Sequence, residues 1–161
     1  MPPKDLQDVI DALTKTPKTV ADLVNDLSAP DLTSKNSPEE FSVVENVCHL
    51  RDIEIEGYAA RISRMLRENN PLLPDIDGGR LAAERDYHSQ DLSQALKAFA
   101  VARNQNTQIL SGLATEQFDR EGTLEGVGSV TIRGLLVMMR DHDADHLVQL
   151  SSIRRRRDIV N

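Results

Sequence analysis

The sequence predicts an all-α fold, a four-helix bundle with long inter-helix connections. Three observations predict it. Apolar residues recur mostly at helical spacing, and no stretch keeps the two-residue alternation of a half-buried strand. Cap signals divide the chain into four long periodic segments separated by loops rich in Pro, Gly and Ser. The length of 161 residues suits one domain, residues 1–161, large enough to bury a real core.

The first helix is expected over about 4–14, with Leu6, Val9, Ile10 and Leu13 on one side. Thr16-Pro17 reads as its end, and as the cap and first residue of a new segment reaching about Leu27. Residues 28–41, which include Pro30 and Pro38, read as a polar connection. Ser42 followed by Glu45 is a capping box that opens a second long helix, running to about Glu68. Asn70-Pro71 and Pro74 end it, and Gly78-Gly79 mark a turn. Residues 70–88 form a long connection with one helical turn over 80–87. Ser89 is the expected cap of a third helix running to about Ser111, with Gly112 at its C-terminus. Residues 112–130, with Gly122, Gly126 and Gly128, read as irregular. Thr131 opens a last helix reaching about Arg154, so the core spans about 5–153 and a basic tail covers 154–161.

Composition excludes several classes of function. The chain carries 26 Asp and Glu against 19 Lys and Arg, a formal charge of −7, with two Tyr, three Phe and no Trp. A nucleic-acid binder wants a basic face and aromatic stacking platforms, so no nucleic-acid partner is expected. A single cysteine rules out an internal disulfide framework and suits a reducing compartment. The start, Met1-Pro2-Pro3-Lys4-Asp5, has no apolar segment behind its charge, and the longest apolar run is Leu135–Met139. Neither a secretory signal nor a membrane span, which takes about 20 apolar residues, is expected. The expectation is a cytoplasmic protein acting on a small molecule.

Four histidines carry the most information. His142 and His146 stand four residues apart, so both lie on one face of the last helix. Leu135, Met138, Met139, Leu150 and Ile153 share that face, which points both imidazoles into the bundle. Two imidazoles in a low-dielectric core cannot both be charged, and neutral rings still need partners. A divalent metal meets both needs; hydrogen bonds to other helices are the bland alternative. His49, on the second helix, is the candidate third ligand, although a lone histidine there is equally a surface residue. By helical angle its neighbours are Glu45, Asp52, Ile53 and Glu56, while Val44, Val47, Ile55, Tyr58, Ile62 and Met65 lie on the far side. Glu45 or Asp52 is placed to orient the ring. His88 falls in a connection and reads as solvated.

On the third helix, Leu92, Leu96, Phe99, Arg103, Asn106, Leu110 and Leu113 follow alternating four- and three-residue spacing. This core-facing seam carries Arg103 and Asn106 in its middle. A buried arginine needs an anionic partner, either an internal acid (at 45, 52, 56 or 145) or a carboxylate or phosphate on a substrate. Cys48 reads as a buried structural thiol, Met138-Met139 as core, and Arg154–Arg157 as a hydrated complement to the last helix's C-terminal end.

Together, Phe41-Ser42-Val43-Val44-Glu45-Asn46-Val47-Cys48-His49-Leu50 and, 93 residues after His49, His142-Asp143-Ala144-Asp145-His146-Leu147-Val148-Gln149 resemble the DinB-like superfamily, the YfiT-like helical bundles. Gly128 to Leu136 is similar to the family's lead into its last helix, and Thr16-Pro17 is similar too. The resemblance spans about residues 5–153. It implies a four-helix bundle whose metal sits on His49, His142 and His146. Phe41 stands where the family commonly has tryptophan. It also implies a homodimer, and activities that include thiol S-transfer with bacillithiol or mycothiol and metal-dependent hydrolysis.

On that basis the expected cofactor is a divalent ion (Zn, Ni or Fe), with a low-molecular-weight thiol as a further candidate. Three neutral imidazoles leave coordination positions for water, whose pKa falls to about 7 on zinc, or for a thiol. Glu45, Asp52 and Asp145 are the candidate proton acceptors, and Arg103 with Asn106 the candidate substrate-binding pair. The alternative function is a stress-response bundle that binds metal without turnover; a bundle with no metal at all is a third.

Overall fold

The computed structural model describes residues 1–160. Seven α-helices and three short strands follow one another as α1 (Lys4–Val24), α2 (Ala29–Thr33), α3 (Val43–Asp52), a π-helical segment (Ile53–Ala59), α4 (Ala60–Arg67), β1 (Leu72–Leu73), α5 (Gly78–Glu84), a 3₁₀ turn (Tyr87–Ser89), α6 (Leu92–Ser111), a second 3₁₀ turn (Thr115–Asp119), β2 (Glu121–Leu124), β3 (Gly128–Thr131) and α7 (Ile132–Val160). The four long rods of the bundle are α1, the continuous α3–π–α4, α6 and α7. α1 packs along α7 and α6, and α3 packs along α6. Among the described residues no helix is long and apolar enough to cross a membrane.

α1 buries Leu6, Ile10, Leu13, Thr16, Val20 and Val24, one per turn. It runs straight through Pro17, where the sequence predicted a break. Proline has no N–H, so the Leu13 carbonyl loses its intrahelical donor. The Arg103 guanidinium supplies a replacement at 2.9 Å. The polar connection after α1 contains α2, closed by a capping box between Ser28 and Asp31.

α3 begins at the predicted capping box: Ser42 Oγ accepts from Glu45 N–H, and Glu45 Oε1 accepts from Ser42 N–H, both at 3.2 Å. The predicted second helix is continuous, but its middle is π-helical rather than α-helical. Each i→i+5 turn takes in one residue more than an α-turn, so the faces beyond it rotate. Glu54 is thereby turned inward to 1% exposure, and Ile55, expected on the apolar side, emerges at 45%.

α6 is capped by Asp91, which accepts from Gln94 N–H at 2.8 Å, rather than by Ser89, which lies in the preceding 3₁₀ turn. The irregular stretch expected over 112–130 holds β2 and β3, a hairpin paired antiparallel from Glu121↔Thr131 to Leu124↔Gly128. β1 adds to β2 in parallel, giving a three-stranded sheet, so the fold departs from all-α at this one end. α7 continues to Val160, absorbing the expected tail. Arg154 is held by Asp26 at 2.6 and 2.8 Å and by the Leu23 carbonyl at 3.0 Å, instead of standing free in solvent.

The core falls into two adjoining clusters. One gathers Leu6, Ile10 and Leu13 with Tyr58, Ile62, Met65, Leu135 and Met139 around the sheet end. The other gathers Val20 and Val24 with Val43, Val47, Cys48, Tyr87, Phe99 and Leu150. Three of the four histidines meet within the bundle.

Candidate metal centre

His142 and His146 project from consecutive turns of α7 toward α3, where His49 faces them. Nε2 of His142 lies 3.0 Å from Nε2 of His49 and 3.2 Å from Nε2 of His146. One nitrogen from each ring falls within 4.8 Å of the other two. The rings are mutually tilted, with centroids 4.5–5.1 Å apart, so nitrogens rather than ring faces converge. His88 lies apart, exposed in the 3₁₀ turn.

The protonation pattern follows from the neighbours. Asn46 donates its amide N–H groups to the carbonyls of Ser42 and Phe41 at 2.9 and 3.3 Å, which turns Oδ1 toward His146. Oδ1 can only accept, so the His146 Nδ1, 2.7 Å away, is the donor and Nε2 carries the lone pair. Burial, then the charge of His146, joined by that of His142 at His49 and of Arg103 at His142, pushes His49 and His142 down to about 3, and burial lowers His146 as well. All three rings are therefore neutral at pH 7.

Zinc–nitrogen bonds of about 2.0–2.1 Å require ligand nitrogens about 2.9 Å apart at right angles and about 3.4 Å apart at the tetrahedral angle. The 3.0 and 3.2 Å separations lie between these limits, so the donor set fits a small divalent cation. Behind the site Glu54 and Asp143 are buried with the Arg103 guanidinium, whose charge reaches His142.

The carboxylates named from the sequence lie elsewhere. Glu45 serves the capping box and faces Lys35 at 3.3 Å. Asp52 accepts from Arg51 at 2.7 Å, from Arg85 at 2.9 Å and from the Tyr87 hydroxyl at 2.5 Å, which ties the 85–90 segment to α3. Asp145 is exposed. Neither Glu45 nor Asp52 hydrogen-bonds His49; Asn46 instead orients His146, a role for which the helical angle alone carried no signal.

Arg103 and Asn106, named as a substrate-binding pair, lie inside the bundle. Arg103 is 2% exposed and clamps Asp143 at 2.7 and 2.9 Å, with Glu54 at 3.0 Å; Asn106 donates to Glu54 at 3.0 Å. An internal ion cluster occupies the guanidinium, and its acids are not those at 45, 52, 56 or 145. Cys48 is buried as expected, its thiol pushed up to about 11 by desolvation.

Aromatic rings flank the histidines. Phe41 lies 5.3 Å from the His49 ring, and Tyr58 meets His142 edge-on at 6.0 Å. The helical angle had set Tyr58 on the opposite side, before the π segment turned it.

The backbone of α5 closes over His49 at Gly78. A Cβ there would stand 2.6 Å from His49 Cε1 and 2.8 Å from Nδ1. Gly78→Ala is expected to displace the ring or lift α5, costing about 1–3 kcal/mol in chemical denaturation.

The depressed histidines also set a pH dependence. With folded pKa values near 3 against an ordinary 6.5, the unfolded chain binds more protons between those limits. Stability of the metal-free protein is present above pH 6.5 and is lost as pH falls toward 3, by up to about 1.4 kcal/mol per pH unit for each such histidine. Urea midpoints at pH 7, 6 and 5 check the sign.

Comparison with known proteins agrees with this architecture. The sequence profile of the DinB superfamily matches residues 12–150. Among curated proteins, none matches the chain by sequence. The fold matches that of YfiT from Bacillus subtilis, described as a probable metal-dependent hydrolase with an unusual four-helix bundle topology, with a TM-score of 0.90 over 98% of this chain and 91% of that chain. The two are 21% identical, so this likeness is one of fold. With the profile covering all but the ends of the chain, the protein belongs to the DinB superfamily.

Proposed function

We propose that His49, His142 and His146 bind one divalent metal ion and that the protein uses it to hydrolyse a small-molecule substrate. The observation that carries this reading is the convergence of three neutral imidazoles. His142 Nε2 stands 3.0 and 3.2 Å from Nε2 of His49 and His146, and one nitrogen of each ring lies within 4.8 Å of the others. The superfold shared with YfiT, itself described as a probable metal-dependent hydrolase, supports the choice of reaction. When bound by three imidazoles, a zinc-like ion supplies Lewis acidity and lowers the pKa of water to about 7.

The chain's own residues prepare that chemistry. Asn46 holds His146 in the tautomer that leaves Nε2 free. The Phe41 and Tyr58 rings flank His49 and His142 and thin the water around them. Burial keeps all three imidazoles in the neutral form a cation requires.

A second reading, S-transfer from a low-molecular-weight thiol of the bacillithiol or mycothiol kind, is favoured by a specific observation. Glu45 and Asp52 are engaged elsewhere and Asp145 is exposed to solvent, so none of the three is held at the histidines as a general base. Thiol activation by the metal alone needs no such base. The protein loaded with zinc, nickel or iron is assayed against ester and amide panels, with and without added thiols. Chelator-sensitive product release without thiol supports hydrolysis. An absolute thiol requirement replaces it with S-transfer, and no turnover under either condition leaves a metal-binding bundle.

A further inference from the structure

We propose that Arg103 is the positioning residue of the histidine site: it offers no ligand, but its guanidinium joins the two rods that carry the ligands. This rests on the metal reading above. Asp143 follows His142 directly and precedes His146 by three residues on α7. Glu54 lies five residues beyond His49 on the rod continuous with α3. Arg103, from α6, holds Asp143 through two nitrogens at 2.7 and 2.9 Å and Glu54 at 3.0 Å. A fourth contact, to the Leu13 carbonyl at 2.9 Å, anchors the same group to α1. One side chain, rooted on α6, therefore binds the three other rods of the bundle.

The geometry bears on the site in two ways. A bidentate arginine–carboxylate pair fixes orientation as well as distance. It sets the rotation of α7 at residue 143, and with it the directions in which His142 and His146 point. On the other rod, the π segment turns Glu54 inward to reach Arg103, and Asn106 braces the same carboxyl at 3.0 Å. The spacing between His49 and the α7 histidines is thus held from behind.

A purely structural role accounts poorly for this cluster. Well-packed apolar residues commonly stabilise a core as well as or better than buried ions do. This cluster uses two acids and a bidentate arginine to hold α7 and the π segment at fixed positions, which apolar packing would not do with the same directionality.

The test uses Co²⁺ as the probe, with its visible ligand-field bands reporting ligand geometry. Arg103→Lys conserves charge but loses the fork, while Glu54→Gln keeps the Asp143 pair and reduces the Glu54 ion pair to a neutral hydrogen bond. Val20→Ala, in the other core cluster, serves as a destabilised control. Groups hydrogen-bonded directly to ligand histidines alter metal affinity about 10–100-fold, and a brace acting one contact further back is expected near the low end of that range. Both strut variants are expected to weaken Co²⁺ binding about 10-fold or more and to shift the bands, while the control lowers the melting temperature and leaves both unchanged. If Arg103→Lys does not fold, Glu54→Gln decides alone. Affinity within about twofold of wild type with superimposable bands, or an equal loss in Val20→Ala, overturns the strut. Failure of the wild-type protein to bind Co²⁺ instead overturns the metal reading.

Discussion

Asp143→Ala is expected to destabilise the fold by about 3–5 kcal/mol, the usual cost of removing one partner from a buried ion pair. Asp143 is 4% exposed, and its partner Arg103 is 2% exposed, so the orphaned guanidinium has no route to water. Glu54 remains at 3.0 Å but takes only one side of the fork. Equilibrium urea unfolding at pH 7 measures the effect. Lys18 and Asp22 provide the contrast: they approach to 2.6 Å, but with side chains 81% and 59% exposed. Solvent screens such a pair, and Asp22→Ala is expected to leave the urea midpoint within error.

The second large effect concerns metal. A ligand that binds only the folded state at 100 times its Kd stabilises by about 2.7 kcal/mol. Zinc at that excess is expected to raise the unfolding midpoint of the wild-type protein. His146→Ala is expected to abolish the shift, because it deletes the nitrogen whose lone pair Asn46 orients. Deleting the ring also relieves crowding among neutral imidazoles, so the metal-free variant is expected to lose less stability than Asp143→Ala. A zinc shift that survives His146→Ala places the ion elsewhere.

The two buried groups differ in how far the sequence announces them. The i, i+4 spacing of His142 and His146 on an apolar face is a local signal, and so is the Ser42–Glu45 capping box that starts the helix carrying His49. Local periodicity suffices for both. The partners of Arg103 are a different matter. A regular helical angle places Ile55 inside, whereas the π segment reverses that, exposing Ile55 and burying Glu54. The reversal is stabilised by Arg103 and Asn106, about 50 residues away, contacts that no local window contains.

Pro17 makes the same point. Read locally it ends a helix; in the folded protein Arg103 caps the carbonyl it leaves free, and α1 continues. The sheet was hidden for another reason. Strands of two to four residues are too short to establish alternation, and β1 gains its ladder only from β2, some 50 residues later. Asn46 sits in plain view beside the capping box. Its role depends on which way its amide faces, and that is set by the Phe41 and Ser42 carbonyls.

On the proposed function, three imidazoles from two rods share one cation. Anomalous diffraction from crystals grown with zinc, recorded on both sides of the zinc edge, addresses it directly. The account predicts one peak per chain, at bonding distance from Nε2 of His49, His142 and His146. A map without that peak, or with zinc bound only at surface carboxylates, would contradict it.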